Sequence, residues 1–86
     1  MGDEPVPLNR EHLRYNLEEI EEEVELLLRT LREQRPLSHD QVYRAFQHII
    51  HHVNIGWNGR CAREGLGASE EQLSEWSRFP DDITLI

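Results

Sequence analysis

The stretch His12-Leu-Arg-Tyr-Asn-Leu-Glu-Glu-Ile-Glu-Glu-Glu-Val-Glu-Leu-Leu-Leu-Arg-Thr-Leu31 decides the fold class. Leu13, Leu17, Ile20, Val24, Leu27 and Leu31 are spaced 4, 3, 4, 3 and 4 apart, the apolar seam of an α-helix that packs along its length. Asn9 stands where an N-cap belongs, and Pro36 disfavours a helical Arg35, so the helix is expected over about 10–34.

Working outward, Arg35-Pro36-Leu37 is a short turn, and Ser38 with Gln41 forms a capping box that starts a second helix. Val42, Phe46, Ile49 and Val53 continue a 4, 3, 4 seam. A second helix over about 39–62 matches the first in length, although Gly56 and Gly59 oppose it by about 1 kcal/mol each. Gly65-Leu66-Gly67 reads as a break, and Ser69 with Gln72 caps a short third helix over about 70–77. Residues 1–8, with Pro5 and Pro7, read as an extended lead-in, and 79–86 as a partly apolar tail. The expected fold is therefore all-α: one domain built on an antiparallel hairpin, with a short third helix.

The flanks of the first seam (Arg14, Asn16, Glu21, Glu23, Leu28 and Thr30) give little gain for pairing helix 1 with its own copy. The seam is accordingly assigned to helix 2 of the same chain. Leu26, Leu28 and Ile55 lie outside it and suggest a second apolar face that buries a two-fold copy, giving a dimeric four-helix-type bundle. A chain of 86 residues buries a small core by itself, which points the same way.

Charge narrows the partners. The net charge is −8, concentrated in Glu18, Glu19, Glu21, Glu22, Glu23 and Glu25. Such a field repels nucleic acid and anionic membranes, so neither is expected as a partner. An acidic start, Met1-Gly2-Asp3-Glu4-Pro5, and a single cysteine, Cys61, fit a reducing, cytoplasmic setting. Cys61 reads as a small buried residue.

Three groups carry potential chemistry. His48, His51 and His52 cluster on helix 2, and the i, i+4 pair His48/His52 has the spacing of a transition-metal chelate. On a helical wheel they point away from Val42, Phe46, Ile49 and Val53, towards solvent or a partner. A site there needs a third ligand, from a helix 1 glutamate, His12, His39 or a second chain. Asn54-Ile-Gly-Trp-Asn-Gly-Arg60 combines an aromatic, two amides and an arginine. Its functional reading is a ligand or partner site with Trp57 as anchor, Arg60 as anion clamp and Asn58 as polar contact. Its structural reading is that Gly56 and Gly59 permit a close helix crossing, with Trp57 packed on Trp76 and Arg60 paired to Glu75 or Asp81.

The run Glu18-Glu-Ile-Glu-Glu-Glu23 resembles the acidic helix of helical nucleotide pyrophosphohydrolases, which implies carboxylate-bound Mg²⁺. Helix 2 departs from that pattern, with Asp40 its only acid up to Arg63. Arg44 and His51 loosely resemble the Arg-x(4–6)-His pattern of a family of helical ribonucleases, against the acidity of the chain. Neither resemblance assigns a family. No nucleophile–base constellation is legible, which favours a non-enzymatic role. The expectation is a small acidic interaction or regulatory module acting as a homodimer, with another protein as a possible second partner. The alternatives are a divalent transition-metal protein using His48, His51 and His52, and a small-ligand pocket around Trp57, Asn58 and Arg60.

Overall fold

The computed structural model describes residues 7–63 and 69–85. The proposed break at 65–67, most of the lead-in and Ile86 lie outside the described residues. Among the described residues there are three helices: α1 over Arg10–Arg32, α2 over His39–Asn58 and α3 over Glu70–Trp76. The molecule is elongated, 56 × 27 × 26 Å, as two long helices side by side require. No helix is long and apolar enough to cross a membrane.

The starts follow the local chemistry. The Asn9 side chain accepts from the His12 N–H, and Ser38/Gln41 and Ser69/Gln72 both form complete capping boxes. The stop of α1 is a Schellman motif: the Arg35 N–H reaches the Thr30 carbonyl at 3.0 Å and the Gln34 N–H reaches Leu31 at 3.2 Å. Gln34 occupies the left-handed position, φ 54°, where glycine is usual.

α2 ends at Asn58, with Gly59 as C-cap, rather than running on to residue 62. The chain is tightly packed at this point. The backbone at Gly59 lies so close to α1 and α3 that a Cβ there would sit 2.5 Å from His12 Nε2 and 3.0 Å from Trp76 Cε3. The chain then turns, and Asn9 locks it to the start of α1: its N–H donates to Arg60 O at 2.6 Å and its side-chain amide to Ala62 O at 3.0 Å.

α1 and α2 are antiparallel, since Asn9 meets Arg60, His12 meets Ile55, Asn16 meets His52 and Glu23 meets His48. These pairs correct the expected packing. The apolar seam makes only part of the contact between α1 and α2: Leu27 turns inward, and Leu13, Ile20, Val42 and Ile49 are half-buried. Leu17 (62% exposed), Val24, Leu31 (58%), Phe46 (54%) and Val53 all remain exposed. Instead α1 turns His12, Asn16, Glu19, Glu23 and Leu27 inward, and α2 answers with Ala45, His48, His52, Ile55, Gly56 and Gly59. Few apolar residues of the described structure are buried, Ala45, Ile55 and Pro80 among them. Ile55, expected on a second outward face, is thus part of the internal contact.

The physical reason is size and satisfaction. Small residues at 45, 56 and 59 let the backbones approach, and a Cβ on Gly56 would sit only 3.2 Å from the Asn16 Cβ. The polar side chains that meet at this close contact are hydrogen-bonded in pairs, Asn16 with His52 and Glu23 with His48, which is what makes their burial tolerable. The seam is displaced by roughly a quarter turn from this contact on each helix, at about 100° per residue. Because the two helices run in opposite directions, the displaced seams turn to the same side of the hairpin. One broad apolar face results, with Leu13, Ile20, Val42 and Ile49 half-buried along its inner edge.

Candidate functional site

Two features stand out as sites: the polar seam between α1 and α2, and the apolar face beside it. The seam is built on Asn16, which is 2% exposed. Its side-chain N–H₂ donates to the His12 carbonyl at 2.9 Å, one turn back. That bond fixes the amide orientation, so Asn16 Oδ1 faces His52 Nδ1 at 2.7 Å as an acceptor. His48 Nδ1 meets the Glu23 carboxylate at 3.0 Å. Both imidazoles therefore carry their Nδ1 hydrogen, and both turn Nε2 towards each other at 3.1 Å. A Glu19 carboxylate oxygen lies 3.7 Å from His52 Nε2. Burial holds the His52 imidazole below the ordinary histidine value, and His48 and His51 lower it further, against an opposing pull from Glu19.

The histidines thus do not face away from α1. His48 and His52 point into the hairpin, and His51 is exposed, its ring 5.4 Å from that of His52. Helix 1 supplies the third candidate ligand, Glu19, and the ligand atoms of Glu19, His48 and His52 all lie within 4.8 Å of one another.

Below this network, a cleft of about 400 Å³ opens between the start of α1, the end of α2 and α3. His12, Tyr15, His52 and Trp76 are among its walls, with the Trp76 ring edge-on to His12 at 5.5 Å.

Trp57, Asn58 and Arg60 form a different arrangement, outside that cleft. The Asn58 amide donates to the carbonyls of Trp76 and Arg78, both at 2.8 Å, and Asn54, one turn earlier, donates to Ser77 at 2.9 Å. Together the two amides satisfy carbonyls that the end of α3 leaves open. Trp57 Nε1 donates to Asp82 at 2.8 Å. The Arg60 guanidinium stacks 3.7 Å over the Trp57 ring and reaches Asp82 at 3.5 Å. The indole N–H, aided by Arg60, holds the Asp82 carboxyl below the usual carboxylate value. The arginine pairs with Asp82, rather than Glu75 or Asp81, and Trp76 packs on His12 rather than Trp57. This stretch fastens the C-terminal segment to α2. Cys61, expected to be buried, is exposed.

Sequence reasoning missed Asn9, Asn16 and Glu23 as members of the polar network. The signal is a second helical register: His12, Asn16, Glu19, Glu23 and Thr30 keep the 4, 3, 4, 7 spacing of a helix face, in parallel with the leucine seam. No family model, curated protein or solved structure matches this chain.

Proposed function

We propose that the chain acts as a homodimeric four-helix module, a small acidic interaction or regulatory protein in which a second copy covers the apolar face. The single observation that carries this reading is the outward position of the seam. Leu17, Val24, Leu31, Phe46, Ile50 and Val53 are each 38–62% exposed and lie along one side of the hairpin. Six such side chains amount to several hundred Å² of contiguous apolar surface, more than ordinary monomers leave wet. With their half-buried neighbours they approach the roughly 800 Å² per partner of a standard interface.

The internal core favours self-association over an occasional partner. Few apolar side chains, Ala45 and Ile55 among them, are fully buried, and the rest of the apolar contact is half-buried, a small core for two long helices. A hairpin in that position needs a cover whenever it is folded, and the one cover always present at synthesis is another copy. A face shared by both helices is self-complementary across a two-fold axis, and the product is a four-helix bundle. The acidic residues Glu18, Glu22 and Glu25 stay at or beyond the rim, where solvent screens them.

Light scattering tests the reading. The expected mass is twice that of the chain, and Phe46→Glu brings it to one chain. A wild-type monomer that is stably folded at micromolar concentration would overturn it.

A further inference from the structure

The polar seam has its own consequence, independent of whether one copy or two make up the particle. Asn16 and Glu23 hold both Nδ1 hydrogens, so the lone pairs on His48 Nε2 and His52 Nε2 converge at 3.1 Å, with the Glu19 carboxylate 3.7 Å from the latter. Two imidazole nitrogens and a carboxylate this close together repel unless something positive lies between them. A proton shared by the imidazoles is one solution; a metal ion is the other. We propose that Glu19, His48 and His52 form a binding site for a borderline divalent transition-metal ion of the Zn²⁺ type.

Three features separate this cluster from a chance meeting of polar residues. The first is spacing. Two nitrogens about 2.0–2.1 Å from one ion, at coordination angles between tetrahedral and octahedral, stand about 2.9–3.4 Å apart. The observed 3.1 Å falls within that range, and the Glu19 oxygen lies just beyond it, 3.7 Å from His52 Nε2. The second is the outer support. A ligating histidine is held by an acceptor on its other nitrogen, which fixes the tautomer and raises ligand basicity. His48 has Glu23 and His52 has Asn16 in that role, and Asn16 is itself oriented by the His12 carbonyl. The third is access. His52 is buried, but the His48 side chain is 42% exposed, so an ion has a route in.

The donor set selects the class. Two imidazoles and one carboxylate suit Zn²⁺, Co²⁺, Ni²⁺ or Fe²⁺ better than Mg²⁺ or Ca²⁺, which take all-oxygen shells. Three protein ligands from two helices leave at least one coordination position for water or a small anionic ligand. His51 and His39 take no part.

The experiment uses the full chain. Zn²⁺ is titrated by calorimetry in a non-coordinating buffer at pH 7.5, and the histidine side-chain ¹⁵N resonances are followed in parallel. One Zn²⁺ per chain is expected, shifting the Nε2 resonances of His48 and His52 and leaving those of His39 and His51 in place. Glu19→Gln and His48→Gln are expected to weaken binding at least tenfold. Glu23→Gln touches no metal and is expected to weaken it by roughly 10-fold through loss of support. His52→Gln is informative only if circular dichroism shows it folded; the ¹⁵N shifts of the wild-type chain need no variant. The proposal is overturned if Zn²⁺ binds sub-stoichiometrically, if His39 or His51 shift in place of His48 and His52, or if Glu19→Gln and His48→Gln bind as the wild type does. It is equally overturned if an Nε2 hydrogen persists between His48 and His52 at saturating Zn²⁺.

Discussion

The hairpin has two long faces at right angles, and they reverse the usual assignment. The face turned inward carries Asn16, Glu19, Glu23, His48 and His52; the face turned outward carries Leu17, Val24, Leu31, Phe46 and Val53. An inward polar face is tolerable because Asn16 and His52, and Glu23 and His48, bond in pairs, and such pairs need close backbones, which Gly56 and Gly59 allow. An outward apolar face is tolerable only if something covers it. The lesson is that the strongest periodic signal in a short chain need not mark the face that its own helices bury, while a weaker polar register can.

The largest expected effect comes from attacking the outward face. Phe46→Glu places a charge at its centre and is expected to raise the dimer dissociation constant at least 100-fold, about 2.7 kcal/mol, read by light scattering or sedimentation. A matched substitution outside that face, such as Gln47→Glu, is expected to leave the mass unchanged.

The inward face breaks differently. Asn16→Ala leaves the His52 Nδ1 hydrogen without an acceptor in a buried setting, and the expected loss is about 1–3 kcal/mol of stability with the dimer retained at high concentration. Denaturant unfolding measures it. A stability equal to the wild type would mean that the network is decorative.

Two glycines sharpen the account of close approach. Gly59→Ala drives a Cβ to 2.5 Å from His12 Nε2 and is expected to cost about 1–3 kcal/mol through overpacking. Gly56→Ala meets the Asn16 Cβ at 3.2 Å, and the gain in helix propensity of about 1 kcal/mol offsets the crowding, so a change near zero is expected. Thermal melts of the two variants side by side decide it.

The smallest effect concerns the fastening of the C-terminal segment. The folded-state value of Asp82 is depressed from 3.8, chiefly by the Trp57 indole N–H. Its contribution is therefore present above the unfolded value and lost as pH falls through the folded one. The Trp57 indole N–H resonance is expected to move only below about pH 3.8, and Asp82→Asn is expected to abolish that step.

Much of the fold is legible in particular residues. Asn9, Ser38 with Gln41, and Ser69 with Gln72 mark three helix starts because capping is a local hydrogen bond between neighbours in the chain. Pro36 and the short turn imply an antiparallel pair for the same local reason. The end of α2 at Asn58 is not local: the chain just beyond it is held by Asn9 at the start of α1, through the carbonyls of Arg60 and Ala62. The metal-type cluster was half legible. The His48/His52 spacing shows a pair on one face, but not that Glu19, 29 residues before His48, stands opposite it.

The amino-acid sequence by itself therefore determined the three helix starts, the order of the helices and the apolar seam, since periodicity and caps act over one or two turns. Only the tertiary structure decided which face turned inward. That choice depends on how near two backbones can come, and backbone distance is set jointly by Ala45, Gly56 and Gly59 on one helix and Asn16 on the other, a relation no single stretch contains.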